Sequence, residues 1–93
     1  MIKSFADKRT AAIFSGYVVR GLPIQIQKRS RAKLLALEAA TRLDDLRVPP
    51  GNRLETLRGN RVDQHSIRVN NQWRICFTWQ DVDAWNVEIV DYH

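Results

Sequence analysis

The chain has 93 residues, 44% of them apolar and 27% charged, a length and balance that exclude a disordered segment and leave room for a single domain, residues 1–93. Fifteen Lys and Arg against ten Asp and Glu give a formal net charge of +5, which points toward polyanionic partners. No apolar leader follows Met1 and no run approaches the roughly 18 apolar residues of a membrane span, so the sequence predicts a soluble, cytoplasmic protein without a membrane partner. The single cysteine, Cys76, cannot form an internal disulfide and suits a reducing compartment.

In chain order, residues 2–6 (IKSFA) read as a short strand. Asp7 is placed to N-cap a first helix through Arg9, Ala12, Ile13 and Phe14, which stops at Gly16. Gly21, Leu22 and Pro23 break the pattern. The stretch from Ile24 to Arg47 then lacks Gly and Pro, and predicts one long second helix. Ala32, Leu35, Ala36, Ala39, Leu43 and Leu46 recur at spacings of three and four, which assigns them to the stripe that lies on a sheet. Lys28, Arg29, Arg31, Lys33 and Arg42 fall on the opposite side, a solvated face or a contact for RNA backbone or an acidic partner.

From Val48 the composition changes to PPGNRLETLRGNRVDQ, which predicts a loop without helix or strand, pinned to the core by Leu54 and Leu57. A loop of this length inside a compact domain is functional or disordered. Between Arg47 and Arg74 there are six arginines and no lysine: Arg47, Arg53, Arg58, Arg61, Arg68 and Arg74. The planar guanidinium fork matches phosphate in a bidentate way that an ammonium cannot, so this distribution favours phosphate recognition.

The last third, His65 to His93, alternates apolar and polar residues in three runs and predicts three antiparallel strands. A three-residue turn, Asn70 to Gln72, sets Val69 opposite Trp73 and Ile67 opposite Ile75. A five-residue loop, Gln80 to Ala84, sets Trp79 opposite Trp85, Phe77 opposite Val87 and Ile75 opposite Ile89. One face then carries these apolar residues for the helices to cover. The other carries Ser66, Arg68, Arg74, Cys76, Thr78, Asn86, Glu88, Val90 and Tyr92, with Arg68 facing Arg74. Two facing arginines require an anion between them, either Glu88 or a phosphate. Ideal alternation sends Asp91 and His93 to the face away from Tyr92.

No H-E-x-x-H or C-x-x-C spacing occurs, so no metal site and no cofactor are predicted. Nucleophile elbows and phosphate-cradling glycine loops are also absent.

The element order, the segment PPGNRLETLRGNR, the run HSIRVNNQWRICFTW and the terminal NVEIVDYH together resemble the HigB-type toxins of the RelE/ParE superfamily. The resemblance implies an α+β fold of order β-α-α-β-β-β: a mainly antiparallel sheet, two N-terminal helices on one face and an open, basic opposite face. It further implies the toxin of a type II toxin-antitoxin module, a metal-independent endoribonuclease that cleaves mRNA in the ribosomal 30S A site and inhibits translation. The implied partners are the ribosome, mRNA and a HigA-like antitoxin with a helix-turn-helix fold, which would link the toxin indirectly to operator DNA. Carried onto this chain, the implied catalytic residues are Arg74, Asp91, Tyr92 and His93. The expected RNA-binding set is Arg53, Arg58, Arg61, His65 and Arg68. Two other readings stand beside it: a ParE-like inhibitor of DNA gyrase, which shares the fold but acts by binding a protein, and a non-catalytic ribosome- or RNA-binding protein, which the open-face arginines would serve equally well.

Overall fold

The computed structural model describes residues 1–59 and 63–92. Helix α1 spans Lys8–Phe14 and begins where the Asp7 carboxylate accepts the amide of Thr10 at 2.6 Å. It ends as a Schellman turn: the amides of Gly16 and Tyr17 donate to the carbonyls of Ile13 and Ala12, and Gly16 has φ +92°. That left-handed conformation is one that glycine adopts without a Cβ penalty.

Helix α2 spans Ile24–Ala39, eight residues shorter at its C-terminus than the expected Arg47 end. The cause is Asp45, whose carboxylate accepts the backbone amides of Thr41 and Arg42. Those bonds take the amides that helix continuation needs, and Leu43–Arg47 forms a 3-10 turn instead. The predicted stripe is also corrected. Ala32, Leu35, Ala36 and Ala39 are exposed, and the buried side of α2 is Ile26, Gln27, Ser30, Leu34 and Leu37. The larger Leu34 and Leu37 remove more apolar area from water than alanines do, and that decides the rotation. Leu46 is buried and Leu43 packs on the core, as expected.

The sheet holds β1 (Glu55–Thr56), β2 (Gln64–Arg68), β3 (Trp73–Gln80) and β4 (Asp83–Asp91), in that spatial order and antiparallel throughout. Strand β1 and a 3-10 turn at Pro50–Asn52 lie in the stretch read as loop only. Glu55 and Thr56 pair with Ser66 and His65, so that stretch extends the sheet. Leu57 is buried and Leu54 packs on the core, the anchoring role expected of both.

Residues 1–6 lie alongside β4 in parallel through the bridges Ile2–Ala84 and Phe5–Val87. Beyond Val87 this segment leaves, and α1 takes over the edge: Thr10 Oγ1 accepts the amide of Ile89, and Arg9 donates to its carbonyl. The exposed backbone of β4 is thereby satisfied from end to end of the contact.

The β2–β3 register is as predicted, with Ile67 opposite Ile75 and Arg68 opposite Arg74. Asn70 Oδ1 accepts the amides of Gln72 and Trp73 and closes the turn. In the β3–β4 hairpin Ile75 faces Ile89, but Trp79 faces Ala84 instead of Trp85. The turn is two residues, Asp81 and Val82, both at positive φ, the twist that tight hairpins favour. The extra residue is absorbed by a bulge in which Asn86, at φ +53°, and Val87 together oppose Phe77. Trp85 therefore turns to the other face, opposite Thr78, and Ala84 takes its place in the core. Ile13, Leu34 and Leu37 cover Ile67, Ile75, Phe77, Val87 and Ile89, all essentially inaccessible to solvent.

Candidate functional site: an arginine pocket on the uncovered sheet face

Opposite the helices, the sheet face is only partly bare. Ser66 and Cys76 are buried, and Arg74 is 8% exposed, because the segment from Pro50 to Leu57 folds across one side of it. Asn52 holds that segment in place. Its amide nitrogen donates to the carbonyls of Leu46 and Val48, and its oxygen accepts from Lys33 Nζ. Burial, and then the nearby Arg29 charge, lower the pKa of Lys33. One of the cations read as surface decoration of α2 thus serves the loop.

The chain next turns at Arg53, whose φ of +45° directs its carbonyl at Arg74. That carbonyl accepts from Arg74 Nη2 at 2.6 Å, while Ser66 Oγ accepts from Nε at 2.8 Å and the Ser66 carbonyl from Nη2 at 3.2 Å. The Glu55 carboxylate stands 4.0 Å away, and the Tyr92 ring centroid lies 5.8 Å from the guanidinium carbon. Neutral oxygens thus fix the orientation of Arg74 without cancelling its charge.

A pocket of about 320 Å³ opens here, lined by Arg53, Glu55, Arg68, Arg74 and Tyr92 and closed by Asn70 and Asn71. Arg68 is steadied by the Asn71 side chain. Three guanidinium groups against one carboxylate make a preorganised anion site, with donors in the fork geometry that phosphate oxygens accept.

Of the residues expected from sequence, Arg53, Arg68, Arg74 and Tyr92 meet in this pocket. Strand β4 keeps its register to the end: Asp91 pairs with Trp73, and the Tyr92 amide donates to the Gln72 carbonyl. Asp91 is therefore on the alternate face from Arg74, where its carboxylate accepts from Gln72 Nε2 at 3.1 Å. His65 sits outside the pocket, across from Phe77, with Nδ1 3.1 Å from Thr56 Oγ1. Burial lowers its pKa, and the Asp63 charge opposes that shift. Arg58 is exposed beyond Leu57, and Arg61 and His93 lie outside the described residues. Glu55, Asn70 and Asn71 are the pocket residues that the expected site set lacks, Glu55 because its stretch predicts a loop. The run Leu54-Glu55-Thr56-Leu57 carries no apolar–polar alternation and is too short to signal a strand.

Fold and pocket together define a small basic α+β protein whose sheet presents clustered arginines. The chain belongs to the HigB-like toxins: the family model for the RelE-like toxin of the type II toxin-antitoxin system HigB matches residues 3–93. It is 48% identical over 67 residues to Toxin HigB-1 of Vibrio cholerae, covering 72% of this chain and 70% of that one. It is also 36% identical over 93 residues, all of both chains, to Endoribonuclease HigB of Proteus vulgaris. Among solved structures, the YoeB-YefM complex from Staphylococcus aureus matches with a TM-score of 0.62 at 14% identity, over 100% of this chain and 98% of that one, a likeness of fold.

Proposed function

We propose that this toxin is a metal-independent endoribonuclease that cuts mRNA in the A site of the cytoplasmic ribosome and is restrained by a cognate helix-turn-helix antitoxin. The observation that carries the reading is the Arg74 guanidinium, 8% exposed, held by neutral oxygens and aimed into a pocket with Arg53, Arg68 and Tyr92. Family membership and the endoribonuclease among the relatives support it.

In the proposed reaction the 2′-oxygen attacks the adjacent phosphorus and the bond from phosphorus to the 5′-oxygen breaks, leaving a 2′,3′-cyclic phosphate. Arg74, with Arg53 and Arg68, stabilises the charge that builds on the phosphorane oxygens. Glu55, the carboxylate of the pocket, takes the 2′-hydroxyl proton. Tyr92 stacks a base over the site, and His93 supplies the proton that the departing 5′-oxygen needs, while Asp91, on the other face of β4, steadies this segment through Gln72. Arg58, Arg61 and His65 extend the contact along the RNA. The ribosome orients the message, a task that so few acid and base groups leave to it.

The test is purified protein with translating ribosomes and a defined mRNA, read by primer extension. Wild type gives A-site cuts, and Glu55→Gln slows them by about 100-fold, the usual scale for loss of a general base. Absence of cuts by wild type overturns the reading, and inhibition of DNA gyrase in its place would make the protein ParE-like.

A further inference from the structure

The helical layer carries a second surface that the arginine pocket does not explain. At the α1–α2 corner a groove of about 180 Å³ is lined by Ile13, Tyr17, Val18, Ile24, Lys28 and Arg31, among others. Tyr17, Val18 and Ile24 are 71%, 73% and 50% exposed, a concentration of bulky apolar side chains facing water at one corner.

Their connection is held rigidly. The Gln27 side chain, itself buried, accepts the Val19 amide and donates to the carbonyls of Val19 and Leu22 at 2.6–3.0 Å. Arg31 Nε donates to the Phe14 carbonyl at the end of α1. A corner fixed in this way loses little freedom when a partner covers it.

Charge selects the partner. Residues 8–37 hold seven cations, Lys8, Arg9, Arg20, Lys28, Arg29, Arg31 and Lys33, and no Asp or Glu. Lys28 and Arg31 stand on the groove itself. Nucleic acid would use the cations but gains nothing from Val18 and Ile24, aliphatic side chains without donors or a stacking face. A polypeptide with a bulky apolar anchor flanked by carboxylates uses both.

We infer that the α1–α2 corner is the docking surface for such an acidic, apolar-anchored segment of the antitoxin. This rests on the toxin-antitoxin reading above. Because the corner is built on the helix side of the sheet and Arg74 faces the other side, a segment seated here does not itself fill the arginine pocket.

The experiment measures binding of purified cognate antitoxin to the full toxin by titration calorimetry, for wild type, Val18→Asp and Lys28→Glu. Both positions are exposed, and circular dichroism checks that each variant is folded. Each substitution is expected to weaken binding at least tenfold while mRNA cutting by the antitoxin-free toxin stays unchanged. Wild-type affinity retained in both folded variants overturns the inference and leaves the endoribonuclease reading standing. Loss of ribosome binding, or of retention on phosphatidylglycerol vesicles, with antitoxin affinity intact would also overturn it. Failure of A-site cutting by wild type, with antitoxin binding still sensitive to both substitutions, instead overturns the reading of function and supports the docking surface.

Discussion

The two faces of the sheet are made by the same strands and obey opposite rules. On the helix side Ile67, Ile75, Phe77, Val87 and Ile89 are buried by apolar neighbours, and packing alone settles their positions. On the other side Arg74 is nearly as buried, yet its partners are a serine hydroxyl and backbone carbonyls. Removing a guanidinium from water costs stability, which the half-exposed Glu55 carboxylate, 4.0 Å away, offsets only in part. The first face holds the fold together, and the second spends part of that stability on a charge held at the pocket.

The largest expected effect lies on the packed face. Phe77→Ala removes a ring that touches Trp79 and lies under the helices, and should destabilise the protein by about 3–5 kcal/mol. Denaturant titration measures it, and a loss below about 1 kcal/mol would mean that this face is not the core. Next, Asn86→Val forces a β-branched residue into the φ +53° conformation of the bulge. It should cost about 1–2 kcal/mol, whereas Asn86→Gly is tolerated, a difference that thermal melts resolve. Asp7→Ala removes the α1 cap at a cost of about 1 kcal/mol by the same melts.

The smallest effect is a pH dependence. His65 has its pKa lowered by burial, so the unfolded chain binds the proton more readily than the folded one. Stability is then full above the unfolded value of about 6.5 and declines as pH falls below it. His65→Gln should flatten that part of the stability curve, and an unchanged slope between wild type and variant would contradict the assignment.

The β2–β3 register followed from alternation because Ile67, Val69, Trp73 and Ile75 allow only one parity. The β3–β4 hairpin misled because Trp85 and Val87 keep the alternating pattern while Asn86 breaks the geometry, and a bulge at a polar residue leaves no hydrophobic signature. Helix α2 misled for another reason: Ile26, Leu34 and Leu37 compete with Leu35 and three alanines for the role of the stripe, so spacing admitted two rotations. Its early end depends on the Asp45 carboxylate reaching back to Thr41 and Arg42, a choice between two hydrogen-bonded states that composition does not reveal. At the site, Arg68 opposite Arg74 was legible from register. The burial of Arg74 was not, because it requires Asn52 to hold the loop and Arg53 to turn its carbonyl inward.

The central claim is that the arginine face serves function and the helix face serves stability. Its most direct measurement is A-site cleavage by Arg74→Met, a substitution that keeps an apolar stem in the buried position and removes the charge. The expected result is a folded protein, destabilised by about 1–3 kcal/mol because the Ser66 and Arg53 oxygens lose their donor, whose cutting falls by about 100-fold or more, the scale for losing one preorganised charge contact. Cutting that persists at the wild-type rate in the folded variant would contradict it.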